Sequence, residues 1–278
     1  MLSKLLKYEF KATSRQFLLC YLALIVTAFP MRLLILSWSA GAMPETTVKI
    51  VSFFTTTLYI AIIAATILMT LVMIISRFYR NLMTGEGYLM HTLPVSPWQH
   101  TTSKLIVALI WSILSVLVVC ASLAILFTAN IAPSAMWNAV TDTLLKTFHA
   151  YQQTVGESLW FVLIPIILGL LFSVIFSILH VYLSITIGQL FNKHRVLGAV
   201  LAYIVIQTIL NTLSAIFSFA SFWDDGWVSY LFNDTQTGLE TLHLVIGFLW
   251  IGFGIVFCLC VLFFGLTNLL MHRKLNLE

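Results

Sequence analysis

Six stretches of this chain are each long and apolar enough to cross a bilayer, and nothing else in the sequence constrains the fold so tightly. They run roughly over 17–36, 51–75, 105–128, 159–190, 196–220 and 243–270. A membrane-crossing helix needs about 20 mainly apolar residues. Lipid offers the backbone no hydrogen-bond partners, and no alternating strand pattern is present, so helix is the only element open to these segments. The expected fold class is all-α: a polytopic membrane protein with six transmembrane helices, in which residues 1–278 form a single transmembrane domain. Charged residues make up 9% of the chain, against about 25% in a soluble domain. Such a chain has membrane lipids as partners, and no nucleic-acid partner is expected.

The four cysteines, Cys20, Cys120, Cys258 and Cys260, lie inside apolar runs. There they act as small hydrophobes and suggest neither a disulfide framework nor a zinc site. Ala40-Gly41-Ala42 looks like a signal cleavage site. However, the apolar run before it exceeds the roughly 7–15 residues of a signal core, so the first span is expected to be retained.

Lysine and arginine set the orientation. On the side of the N-terminus lie Lys4, Lys7, Lys11, Arg15, Arg77, Arg80, Lys104, Lys193, Arg195, Arg273 and Lys274. The other side holds Lys49 and Lys146, with Arg32 near the end of the first span. Eleven against three predicts that both termini are cytoplasmic. Most acids, among them Glu45, Asp142, Asp224 and Asp225, fall outside.

Residues 1–15 read as an amphipathic helix on the inner leaflet. At about 100° per residue, Lys4, Lys7, Lys11 and Arg15 share one narrow arc. Leu2, Leu5, Leu6 and Phe10 lie opposite. Cations on one arc and hydrocarbon on the other suit a lipid surface. Glu9 is misplaced on the apolar side. Either it snorkels, or it pairs with a cytoplasmic arginine such as Arg77 or Arg80, since an unpaired acid near lipid is costly.

Between the second and third spans lies a polar island, Arg77 to Lys104, RFYRNLMTGEGYLMHTLPVSPWQHTTSK. Its first residues continue the second span as helix. Thr84-Gly85-Glu86-Gly87 breaks that helix, and Thr84 can cap a new one with Glu86 in its first turn, where the helix dipole favours an anion. The short helix shows Tyr88, Leu89, Met90 and Leu93 to a neighbour. Ser96-Pro97-Trp98-Gln99 then starts the third span with a capping box and proline at the first helical position. The exposed apolar face packs on its own domain or lipid, or enters a cleft of a separate cytoplasmic protein.

The other loops carry less. Residues 129–158 hold an interfacial helix beginning near Ser134, with Met136, Val140, Leu144 and Phe148 every four residues. Residues 221–242 combine Trp223, Trp227 and Tyr230 with acids, as at a membrane interface, and suit a short re-entrant hairpin turning at Gly226. The connection 191–195 is short and makes spans four and five an antiparallel hairpin.

KYEFKATSR near the N-terminus and FYRNLMTGEGYLMHTLPVSPWQHTTSKLI resemble the membrane subunits of ATP-binding-cassette exporters of the ABC-2 type, as found in Gram-positive bacteria. The resemblance covers essentially the whole chain; its specific part is GEGYLMHTLPVS, residues 85–96. It implies an ABC-2, type V exporter-like fold in the bacterial cytoplasmic membrane, with residues 1–15 as a membrane-parallel connecting helix. It also implies that Thr84, Glu86, Tyr88, Leu89, Met90 and Leu93 belong to a coupling helix docked on nucleotide-binding ATPase subunits. A second permease chain, identical or a sister, completes such a transporter. The implied cargo is amphiphilic: a peptide or antimicrobial, a drug, a lipid or a glycan. The chain has no G-x-x-x-x-G-K-[ST], so ATP and magnesium belong to the partner. No cofactor and no catalytic role are expected in this chain.

Polar residues within spans mark function or packing. Gln207 and Asn211 share a helix face; they bond a neighbouring helix or line a cargo path. His180 is a satisfied polar contact or a proton relay. Thr55, Thr56 and Thr57 bond back to their helix or face a dimer seam. Arg32 snorkels, and Pro165 kinks the fourth span. Two other functions compete. An intramembrane enzyme would want H-E-x-x-H, which is absent, or a serine–histidine pair on facing helices, whereas Ser173, Ser177 and His180 share one helix. An ion-coupled transporter or channel usually keeps acids near the midplane, and the six cores hold none.

Overall fold

A computed structural model of the chain describes residues 2–39, 44–83, 97–127, 133–155, 159–191, 193–222 and 238–274. Seven helices carry the described residues: α1 (Leu2–Ser39), α2 (Glu45–Met83), α3 (Pro97–Phe127), α4 (Pro133–Val155), α5 (Trp160–Gly188), α6 (Arg195–Phe222) and α7 (Gly238–Lys274). No strand occurs among the described residues. Six helices are long and apolar enough to cross a membrane, all but α4. Their length and apolar composition suggest a multi-pass membrane protein, and the described residues are of the all-helical class.

Within the described residues, α2 is helical to Met83, α3 from Pro97 and α4 from Pro133. The apolar arc of α4 is exposed at Trp137, Val140 and Leu144, as an interfacial helix requires. Pro165 lies inside α5, which continues through it.

The N-terminal segment departs from expectation. Residues 1–15 do not form a separate helix; Leu2–Ser39 is one uninterrupted helix of 38 residues. Sharp kinks need proline, glycine or an inserted group. The first proline in α1 is Pro30, and no glycine precedes it. Of the expected re-entrant region 221–242, residues 221–222 end α6 and 238–242 begin α7, while 223–237 lie outside the described residues, as does the short helix expected at 84–95.

Contacts divide the chain into two units, residues 1–78 with 99–145, and 79–98 with 146–278. In the first, α1 and α3 run parallel. Contacts advance in the same direction along both, from Glu9 with Lys104 to Tyr21 with Ser115 and Arg32 with the Ile125 carbonyl. α2 runs against them, joining Thr70 to Ser115 and Tyr59 to Ser122. Phe17, Tyr21, Met73, Val107 and Trp111 form its apolar centre. Thr55 and Thr57 return their hydroxyls to the carbonyls of Val51 and Phe53, while Thr56 contacts the Met31 sulfur.

In the second unit α5 is the shared element. α7 lies parallel to it, with Phe161 against Trp250, Phe172 against Phe257 and Phe176 against Phe263. α6 lies antiparallel, packing Tyr203 on His180. Gly188 lets the hairpin close. A Cβ there would stand 2.5 Å from the backbone nitrogen of Ala199, nearer than any side chain allows.

Candidate functional site

The most organised polar site among the described residues is the base of the first unit, where the polar island is rooted. The Lys104 ammonium donates to a Glu9 carboxylate oxygen at 2.6 Å. Their side chains keep 3% and 11% of their exposure. One turn along α1, the Ala12 carbonyl accepts from the Arg77 guanidinium at 2.8 Å. The first and last cations of the island are therefore both fastened to residues 9–12 of α1.

Above the ion pair lies an aromatic clamp. The Trp111 ring stacks on Phe10 at 4.7 Å and on Phe17 at 4.4 Å. Phe10 and Phe17 are two turns apart, which sets them in line along one helix face. Between them Thr13 accepts from the Trp111 indole N–H at 2.8 Å. Higher again, the Tyr21 and Ser115 hydroxyls meet at 2.7 Å, and Ser115 meets Thr70 at 3.1 Å. The Glu9–Lys104 pair, the Trp111 indole and the hydroxyls of Thr13, Tyr21, Ser115 and Thr70 thereby find partners, as a low-dielectric setting demands. His100, Thr101 and Ser103 are buried on the same turns of α3 as Lys104.

This geometry revises the reading of Glu9. Glu9 is paired, and the partner the structure gives it is Lys104 rather than Arg77. Arg77 binds a carbonyl instead, and Arg80 is the basic residue of the last turn of α2. The physical reason lies in the arc that carries Glu9. Leu6, Phe10, Thr13 and Phe17 continue that arc up α1, and it faces α3. What resembles a lipid-facing stripe in sequence is here a protein-packing stripe. Lys104, Trp111, Ser115 and Ser122 recur at seven, four and seven residues. That spacing of polar and aromatic residues along span three was the available signal for this seam.

The other candidate residues fall as follows. Thr84, Glu86, Tyr88, Leu89, Met90 and Leu93 lie outside the described residues. Gln207 and Asn211 come together on α6, the Gln207 amide donating to the Asn211 oxygen at 3.0 Å. Asn211 is exposed on α6, the least buried of the six long apolar helices. His180 is buried, stacked on Tyr203 at 4.3 Å, with Phe176 and Phe263 close by. Its Nε2 meets no hydrogen-bond partner among the described residues. Ser173 and Ser177 return their hydroxyls to backbone carbonyls of their own helix. Arg32 reaches the Ile125 carbonyl only at 3.5 Å. Among the described residues no three His, Cys, Asp or Glu side chains cluster as metal ligands.

No protein-family model, no curated protein and no solved structure matches the chain.

Proposed function

We propose that this chain is the permease subunit of an ATP-driven ABC-2 exporter in a bacterial cytoplasmic membrane, with both termini cytoplasmic. The observation that carries the reading is the fastening of both flanks of the island to one turn of α1, at Arg77–Ala12 and Lys104–Glu9. A segment that receives force from outside needs firm roots, and one buried ion pair, one guanidinium–carbonyl bond and stacked aromatic rings supply them. In this reading the segment from Thr84 to Leu93 docks on separate ATPase subunits, which bind the ATP and magnesium. A second permease chain, identical or a sister, joins it. The cargo is an amphiphilic peptide, drug or lipid, and Gln207 and Asn211 stand on its path. The chain itself performs no catalysis.

The experiment is purification of the tagged chain from native membranes, followed by identification of what comes with it. An ATPase subunit is expected, and the double variant Tyr88→Ala, Leu89→Asp is expected to lose it. Retention of the ATPase by that variant with unchanged transport-coupled hydrolysis would remove the docking role of the segment. Transport that needs an ion gradient and no ATP would remove the reading as a whole.

A further inference from the structure

The N-terminal segment carries two destinations in one face. Lys4, Lys7, Lys11 and Arg15 lie on one arc and Leu2, Leu5, Leu6 and Phe10 opposite, a pattern that binds anionic lipid surfaces. Yet Leu6 packs against the core of the first unit and Phe10 stacks on Trp111. The same apolar arc cannot serve both partners at once. Glu9 tips the choice, because its carboxylate lies within that arc and meets Lys104 at 2.6 Å.

Where the two arrangements would diverge, the Thr13 hydroxyl donates back to the carbonyls of Glu9 and Phe10, and the Ser14 hydroxyl donates to that of Lys11. Back-bonding of this kind, found also at Thr27, Thr55 and Ser173, slightly destabilises a helix, and α1 stays continuous through both residues. Lys7 and Lys11 are exposed in the docked arrangement, so their charges stay available to phosphates.

We propose that residues 2–13 are a two-position strap: docked on the base of α3 through Glu9–Lys104, or released at Thr13–Ser14 onto an anionic lipid surface. Buried ion pairs are weak sources of stability and better suited to setting position. The pair fixes the docked register, and lipid phosphates compete for the rest of the segment. Opening of the strap would free the Lys104 end of the island from α1.

Paired spin labels at Tyr8→Cys and Gln99→Cys test this, with the four native cysteines replaced by alanine and the full chain in vesicles. Phosphatidylcholine vesicles should give one short distance. Vesicles rich in phosphatidylglycerol should add a longer one. Glu9→Gln and Lys104→Gln should each raise the long-to-short ratio by roughly tenfold, as loss of a charge-assisted hydrogen bond implies. Lys104→Glu should restore docking in a Glu9→Lys background. An unchanged distance distribution in both single variants overturns the strap. A long distance that ignores lipid charge overturns the lipid as its second partner. The experiment needs neither ATPase nor cargo, so the strap can fail while the proposed transport role stands.

Discussion

Glu9 and Lys104 lie 95 residues apart in the chain and 2.6 Å apart in space. Lys104 is almost fully enclosed, so that carboxylate is a close counter-charge to a buried cation. Glu9→Leu alone should therefore destabilise the protein by about 3–5 kcal/mol, as breaking a buried pair by removing one partner does. Glu9→Leu together with Lys104→Met should recover most of that loss, because apolar residues of similar volume replace buried pairs with little cost. Thermal unfolding of the three proteins in one detergent gives the comparison. A double variant no better than the single one would refute this account.

Trp111 separates stacking from hydrogen bonding. Trp111→Phe keeps a ring between Phe10 and Phe17 but loses the 2.8 Å bond to Thr13; it should cost about 1 kcal/mol. Trp111→Ala also empties the clamp and should cost about 3–5 kcal/mol. Equal losses in chemical denaturation would mean that the rings contribute nothing.

Gly188 and Gly252 predict opposite outcomes for the same substitution. A Cβ at Gly188 meets the Ala199 backbone at 2.5 Å, whereas at Gly252 it meets nothing within 4 Å. Gly188→Ala should lower folded yield and melting temperature sharply. Gly252→Ala should be neutral or stabilising, since alanine is the better helix former by about 1 kcal/mol. Comparable melting temperatures for the two would show that α5 and α6 do not approach so closely.

His180→Phe should stabilise the second unit. The imidazole already lies among Tyr203, Phe176 and Phe263, and its Nε2 has no partner among the described residues. Replacing an unsatisfied buried polar group by an apolar ring of similar shape gains about 1 kcal/mol, or roughly 2–4 °C. A lower melting temperature would reveal that the nitrogen is satisfied.

Asn211→Cys tests the proposed second chain. Asparagine exposed on an apolar helix gains from a hydrogen-bonding neighbour in place of lipid. If two copies pair along α6, oxidation of this variant in native membranes should yield a covalent dimer, and Leu213→Cys, exposed on a different face of the helix, should not. Water-soluble thiol reagents reacting at Asn211→Cys without dimer formation would place the residue on an aqueous path instead.

The number and approximate limits of the long apolar helices were legible because hydrocarbon burial demands length and composition, both of which a sequence displays directly. The partner of Glu9 was not legible. Periodicity gives the arc on which a residue lies, but an apolar arc looks the same whether lipid or α3 covers it. The continuity of α1 through Arg15 was missed for that reason too: a charged arc suggested a change of direction that the docked helix does not make. His180 shows a third limit. Its position in span four and the Phe176 ring one turn before it were evident, but the other rings around it, Tyr203 and Phe263, come from α6 and α7, and no local pattern announces those.

The lengths of α1 and α2 have a mechanical consequence. With 38 and 39 residues, they measure about 57 and 58 Å along their axes at 1.5 Å per residue. The hydrocarbon layer is only about 30 Å thick. Their polar ends, near Glu9 and Arg77, are also the ends joined by the Arg77–Ala12 bond. Each helix therefore outruns the hydrocarbon by roughly 27 Å. Because contacts hold α1 to α3 from Glu9–Lys104 to Arg32–Ile125, any whole-turn shortening of that surplus has to be made in all three helices of the unit to keep the seam in register.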